Sequence, residues 1–500
     1  MNNKKVVIIG SGLGGLSTGV ILAKNGYQVT VLEQGIQIGG CLQCFVRRGA
    51  KFETGMHFIG SAAPGQVLDQ LMHFLEINDK VKLSSLDPTG YDMVSLKGER
   101  FKFPMGRQRF IDQMSEYFPD QHDNLVRYCD MVERVANASS IHAFKYAEST
   151  AAVDVESQIR SINDVIEEII TDPKLAKVLV SQLPLYGAER DKTPFSTHAF
   201  IMDFYNKSAY RIVGGSDCVA DALVGVIEKY GGKVLNKQKV SRILCDDTHA
   251  TGVETVDGNL YEADIVISSA HPQRTVEMLG DTSLIRQSYR RRISAIPQTM
   301  GSFTLYIHFK DGKVPYMNYN FYSFKNDTPW YSEVYDETTW PKGYFYMHHC
   351  SEEGQKWGKS AVLMSYMKLD DCAKWIGTKV GQRGQDYEEF KARKTEQLLE
   401  LLENDFPGIR ENIEHVYSST PLTYYDYTGT EGGSMYGIAK DINLGAACRV
   451  SHKTRIPNLL LTGQNVNSHG MLGVLVGSIV TCSELLTSEK IYNQIIESNK

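Results

Sequence analysis

The chain lacks any run of 18 uninterrupted apolar residues. Its best candidate, 471–480, has only ten and is broken by two glycines and a serine, whereas a membrane-crossing helix needs about 20. An integral membrane protein is therefore not expected, while peripheral contact with a bilayer stays open. Cysteine is sparse: nine in 500 residues are too few for a disulfide scaffold, which points to a reducing compartment and a cytoplasmic location. Positive charge is not in excess. Lys and Arg number 53 against 59 Asp and Glu, giving a net charge of −6, so no basic field invites nucleic acid. The opening M-N-N-K-K runs straight into a strand and leaves no room for a signal peptide's apolar region. Internal repeats and low-complexity tracts are missing too. What remains is an ordinary globular composition, 42% hydrophobic and 22% charged, in a chain long enough for two or three domains.

Against these absences one stretch is highly specific. V-V-I-I-G-S-G-L-G-G-L, from Val6 to Leu16, reads as a buried strand, a G-x-G-x-x-G turn and the start of a helix over 13–25. Gly10 permits the tight turn, Gly12 lets backbone approach a pyrophosphate, and Gly15 lets the helix pack close to the strand. The helix N-terminus then faces the phosphates. A second strand, 28–32, ends in Glu33, about 20 residues beyond the turn, where an acid holds the ribose 2′-hydroxyl. A dinucleotide site follows.

The rest of the nucleotide-binding half comes from separated pieces. Gly214-Gly215 precedes an amphipathic helix, 219–230, which Gly231-Gly232 ends. Strands are read at 233–236, 240–245 and 265–267, with a turn at Asp257-Gly258. The third piece, 459–486, leads from L-L-L-T-G into a glycine-rich helix start. Residues 105–210 look mainly helical, 161–170 and 172–183 for instance. Strand-like runs occur at 302–309, 344–349 and 361–367, in a region rich in Tyr, Phe and Trp that suits a sheet roofing a pocket.

Several motifs carry chemistry. Gly39-Gly40 after the ribose-binding acid suits FAD better than NAD, since an extended flavin dinucleotide needs a second close backbone approach; an ordinary loop is the alternative. Gly55-Met56-His57 resembles a strand passing beneath a flavin ring, with His57 either a proton donor or a core histidine. Cys41 and Cys44 form a C-x-x-C that could shuttle electrons as a dithiol. Flavin disulfide reductases, however, also need a second nucleotide fold, and Gly214-Gly215 lacks the third glycine and a clear preceding strand. Packing residues are the plainer reading of the two cysteines. No companion cluster supports zinc, and no metal is expected. Near the C-terminus, T-G-Q-N-V-N-S-H-G-M-L-G ends a strand and opens a helix whose N–H groups would face the electron-rich edge of a reduced flavin. Gln464 and Asn465 could hydrogen-bond the ribityl chain, and His469 would lie near the ring; close helix packing alone is the alternative.

The three pieces, in this order, resemble the flavin amine oxidase-like superfamily, and within it the phytoene desaturase, carotenoid isomerase and retinol saturase branch. The similarity spans almost the whole chain. F-E-T-G-M-H-F-I-G, G-G-C, S-T-P-L-T-Y-Y-D-Y and L-L-L-T-G-Q-N-V carry it. One departure is Asn465, where that branch usually offers Asp. The resemblance implies an α/β fold: a Rossmann-like FAD-binding domain built from discontinuous segments (1–90, 211–292 and 446–500), with an inserted α+β substrate domain (91–210 and 293–445).

It further implies non-covalent FAD held by Gly10, Gly12, Leu13, Gly14, Gly15, Glu33, Gln34, Gly39, Gly40, Cys41, Gly55, Met56, His57, Val240, Ser269, Ala270, Gly463, Gln464, Asn465, Met471 and Leu472. The implied reaction acts on a carbon–carbon double bond of a lipophilic polyene, by saturation, desaturation or isomerisation, with hydride exchange at the flavin and a proton carried by His57, His469 or Tyr424. The external electron donor or acceptor stays open. An amine oxidase would want an aromatic cage and a lysine–water pair, neither of which can be placed here. A thiol–disulfide flavoprotein and a non-catalytic FAD-binding lipid carrier are the other readings. A lipophilic substrate must leave a bilayer, so peripheral contact is expected over 105–210.

Overall fold

The strand Lys5–Ile9 sends Val6 and Ile8 to one side and Val7 and Ile9 to the other, and all four are buried, as a strand covered on both faces requires. In the computed structural model, which describes residues 3–138, 155–326, 329, 334–466 and 468–500, this is the middle strand of a five-stranded parallel sheet. The order is Lys233–Leu235, Gln28–Leu32, Lys5–Ile9, Ile265–Ser268, Leu459–Leu461. Three separated stretches of chain supply these strands, which gives the discontinuous Rossmann-like arrangement expected.

Helices Leu13–Lys24, Asp217–Lys229 and Gly470–Leu486 cover the Val6/Ile8 face. The opposite face packs on a three-stranded antiparallel sheet, Val240–Cys245, Ala250–Thr255 and Leu260–Glu262. Small residues bring the first and last of these pieces together: Ser17 Oγ lies 2.7 Å from Ser478 Oγ, and Thr18 Oγ1 lies 3.2 Å from Thr462 Oγ1.

A seven-stranded sheet forms the second layer system, in the order Ile413–Ser419, Gly301–Phe309, Ser360–Met367, Gly343–His348, Asn320–Phe324, Asp92–Leu96, Glu99–Phe103. Its pairs are antiparallel except Asn320–Phe324 with Asp92–Leu96. Alternation again sorts the side chains. Phe303, Leu305, Ile307 and Phe309 pack with Phe390, Leu398 and Leu402 of the helix Gln385–Asp405. Tyr306, Tyr322, Phe345 and Val362 face the other way, toward a core shared with the helices Arg107–Tyr117, His122–Asn137, Ile162–Ile169 and Phe195–Lys207.

The helix expected over 172–183 is shorter. Asp172 caps Pro173–Leu179, accepting from the N–H groups of Lys174 and Leu175, and a separate 3-10 turn, Leu183–Leu185, follows with Pro184 in its first turn. Beyond Leu179 the hydrogen bonds tighten to three-residue spacing, Ser181 N donating to Val178 O and Leu183 N to Val180 O, which ends the α-helix. Part of the 105–210 region, 139–154, lies outside the described residues. Among those described, no helix is long and apolar enough to cross a membrane. A small sheet joins the two systems: Ala209–Ile212 pairs with both Ile59–Gly60 and Leu83–Ser85, which sets Arg211 beside the segment carrying His57.

Candidate cofactor and active site

The glycine turn divides its labour as the contacts dictate. A Cβ on Gly15 would stand 2.0 Å from Gly10 O, so only glycine lets the helix Leu13–Lys24 sit this close to the strand. A Cβ on Gly12 would meet nothing within 4 Å; the space beside it is cavity. Gly12 is also the N-cap and offers no side-chain partner to the helix's first N–H groups, which leaves them for an anion. Gly12 bridges Gly39 in parallel, so the second glycine turn lies directly against the first.

Glu33 ties these turns together. Its carboxylate accepts from Ser11 N (3.0 Å), Ser11 Oγ (2.6 Å) and Gly35 N (2.7 Å), while Ser11 Oγ accepts from Gly39 N (3.2 Å). A carboxylate offers about four lone-pair sites. Three are taken, and one is free for a hydroxyl.

One cavity of about 710 Å³ collects most of the residues read from the sequence, and its size is that of a cofactor cleft, about 300–1,000 Å³. Gly10, Gly12, Leu13, Gly14, Glu33, Gln34, Gly39, Gly40, Cys41, Gly55, Met56, His57, Val240, Ser269, Ala270, Tyr424, Gly463, Gln464, Asn465 and Met471 line it. Gly15, Leu472 and His469 are not in the lining. Gly15 is spent on helix–strand contact, and Leu472 is buried in the apolar core behind the Val6/Ile8 face. His469 caps Gly470–Leu486 and lies against the Tyr436 ring, with centroids 4.8 Å apart. Met364 and Tyr436 also line the cavity without having been singled out. Met364 belongs to the aromatic-rich sheet and was within reach of strand alternation, whereas Tyr436, in an irregular segment, has no pattern to betray it. The free N–H groups, the open space at Gly12 and the spare Glu33 acceptor fit a dinucleotide.

The groups read as proton carriers are all held neutral. Burial lowers His57 to about 4, with Glu53 opposing and Arg211 and His349 assisting the shift. Its Nδ1 is enclosed and has no hydrogen-bond partner. His469 is also lowered to about 4, by burial and by the Lys440 charge, and its Nε2 is buried and unpartnered. Burial holds the Tyr424 phenol well above its usual value; its hydroxyl donates to Thr54 O at 3.1 Å.

The C-x-x-C is not built for redox exchange. Burial pushes the Cys41 thiol up to about 11 and the Cys44 thiol up to about 12, the latter with help from Glu53, whereas a reactive dithiol needs a stabilised thiolate. Both cysteines are free. Among the described residues no group of three or more His, Cys, Asp or Glu side chains is placed to hold a metal ion.

Comparison with known proteins agrees with this geometry. The profile of the flavin containing amine oxidoreductase family matches residues 13–478. The chain is 28% identical to the all-trans-retinol 13,14-reductase of Rattus norvegicus, over 98% of this chain and 86% of that protein. It is 21% identical to the lycopene-forming phytoene desaturase of a Paracoccus species, over 97% and 98%. Among solved structures, an oxidoreductase from Methanosarcina mazei shares the fold, with a TM-score of 0.65 at 17% identity over 96% of this chain and 100% of that one.

Proposed function

The chain belongs to the flavin-containing amine oxidoreductase family, and from that premise we propose that it saturates a carbon–carbon double bond of a long, lipophilic polyene. The observation that carries this reading is the near full-length similarity to all-trans-retinol 13,14-reductase at 28% identity, above the 21–22% to the desaturase and the prolycopene isomerases. The cavity supports it. Among the described lining residues the sole lysine is Lys239, whose neighbour Gln238 donates its N–H to Glu33 O at 2.7 Å, at the ribose end of the cleft. An amine oxidase's lysine at the reacting end therefore has no counterpart in that lining.

When bound, FAD supplies hydride exchange. Leu13–Lys24 and the turn before it hold the pyrophosphate, Glu33 the ribose, and Gln464 and Asn465 the ribityl chain. The apolar face of the seven-stranded sheet excludes water. His57 and Tyr424 hold protons at the cavity wall, and His469 lies behind it with its ring against Tyr436. The division into a cofactor domain (1–90, 211–292 and 446–500) and a substrate domain (91–210 and 293–445) belongs to the same reading. So do a cytoplasmic location, in keeping with nine free cysteines, and peripheral contact of the 105–210 helices with a bilayer, which liposome flotation tests.

The deciding experiment mixes anaerobic, dithionite-reduced holoenzyme with a panel of polyenes and follows flavin reoxidation and product mass. A gain of two mass units supports saturation. An unchanged mass with a shifted retention time makes it an isomerase. A flavin that no polyene reoxidises overturns the reading in favour of a carrier.

A further inference from the structure

Behind His57, outside the cavity lining, three buried charged or titratable groups converge. Glu53 ends the strand Ala50–Glu53, Arg211 lies in Ala209–Ile212, and His349 follows Gly343–His348; each is no more than 2% exposed. His349 Nδ1 stands 3.7 Å from Glu53 Oε2, beyond a direct hydrogen bond. That nitrogen, His57 Nδ1 and Arg211 Nε are all buried without a partner. Arg211 donates to His57 O and Tyr319 O, both at 3.3 Å, so its charge is fixed beside His57 without touching the ring nitrogens. A contact too long for a direct bond, among several unmatched polar atoms, is where a bridging water belongs.

The groups facing His57 are Glu53 from one strand, Arg211 from another and His349 from the turn after a third. Burial, with Arg211 and His349, outweighs Glu53 and keeps the ring neutral, so an imidazolium is a costly way for it to carry a proton. A neutral ring has a cheaper one, because one nitrogen can release a proton as the other takes one up.

We propose that Glu53 and His349 are positioning residues that return a proton to His57 through one water, so that the ring changes tautomer during turnover without becoming charged. This rests on the saturating reading above. The His57 Nε2–H bond breaks as a C–H bond forms at one carbon of the double bond. Nδ1 gains a proton from the water, which takes one from the Glu53–His349 pair. Once product has formed, Nε2 takes a proton from solvent in the cavity as Nδ1 returns its own through the water to the pair, so the ring regains its first tautomer and the net proton comes from solvent. The electrons enter at the other carbon with the hydride that bound flavin supplies, dithionite being the reductant in the test.

The test pairs nitrogen-15 histidine NMR of the FAD-loaded chain with pre-steady-state turnover, in wild type and in Glu53→Gln and His349→Asn. We expect the His57 tautomer ratio to change in both variants, and its titration to fall further in Glu53→Gln, where the opposing charge is gone. The proton-transfer rate should drop about 100-fold with KM unchanged, and Glu53→Asp should recover part of it. Unchanged His57 resonances together with an unchanged rate overturn the proposal, as does a loss that appears in KM alone. If Glu53→Gln does not fold, His349→Asn decides by the same two measurements. If wild type reduces no polyene, the saturating reading fails, and the NMR arm by itself then judges whether Glu53 and His349 govern the tautomer.

Discussion

Gly437 stands so close to Asn465 that a Cβ on it would lie 1.9 Å from Asn465 Oδ1. That oxygen accepts from Ile438 N at 2.9 Å, so the amide's acceptor is committed to the 437–438 backbone. Asn465 lines the cavity, and its remaining polar group, Nδ2, is a donor. An aspartate here could give Ile438 the same acceptor but would present a second acceptor to a ligand hydroxyl. The substitution thus reverses the direction of one hydrogen bond and leaves the surrounding backbone as it is.

Gly437→Ala tests this contact. Gly437 has φ +73°, so alanine meets both backbone strain and the Asn465 side chain. A loss of about 1–3 kcal/mol of stability is expected, along with weaker flavin binding, because Asn465 must move. Asn465→Asp keeps the Ile438 bond and should leave the melting temperature within a few degrees. Thermal unfolding and flavin fluorescence titration read both; a Gly437→Ala protein that binds FAD as wild type does would refute the contact's role.

Gly12 and Gly15 sit in one motif yet should fail in different ways. Gly12→Ala adds a methyl to open cavity, so the fold should hold while FAD affinity falls about 10- to 100-fold, the loss of one charge-assisted hydrogen bond at roughly 1.5–3 kcal/mol. Gly15→Ala drives a methyl into Gly10 O and should cost stability in the FAD-free chain as well. Melting curves with and without FAD separate the two. Equal destabilisation of both FAD-free variants would contradict this division of labour.

The cysteines give a negative prediction. With Cys41 near 11 and Cys44 near 12, neither thiol should react with a disulfide reagent at pH 8 at more than a small fraction of the rate of a free thiol. Cys41→Ser should preserve turnover. Fast labelling of either cysteine, or loss of flavin reoxidation in Cys41→Ser, would restore the dithiol reading.

How far the chain could be read depends on what each feature needs. Gly10, Gly12 and Gly15 are required by contacts within a few residues, so they are visible in one sequence, and the buried strands around them are short apolar runs. Asp92–Leu96 and Asn320–Phe324 are different: they pair in parallel across more than 200 residues, and nothing local announces the partner. His469 was drawn toward the flavin by its neighbourhood in sequence, but its place at a helix N-cap turns the ring onto Tyr436. Glu53 and Arg211 are ordinary surface residue types by composition, and His349 an intermediate one. Their burial in one cluster is a tertiary fact that no spacing encodes.

Acid should destabilise the protein through its histidines. Burial lowers His57 and His469 to about 4 and His198 and His348 to about 3, against about 6.5 in an unfolded chain. Between those values the unfolded state binds more protons than the folded one, so stability rises with pH there. The four contributions are therefore intact above pH 6.5 and shrink as pH falls toward 4, each by about 1.4 kcal/mol per pH unit. Asp92, which burial raises to about 7, works in the opposite sense and offsets about one of the four, so the urea midpoint should change little from pH 7 to 8 and drop between 6.5 and 4.5. His198 is the cleanest probe, because Tyr128 and Tyr186 hydrogen-bond its two ring nitrogens at 2.8 and 2.6 Å and it lies outside the cavity lining. His198→Gln lowers stability at pH 7.5 but should remove one proton's worth of the acid slope. A variant whose stability falls as steeply as wild type below pH 6.5 would show that His198 protonates freely in the folded state.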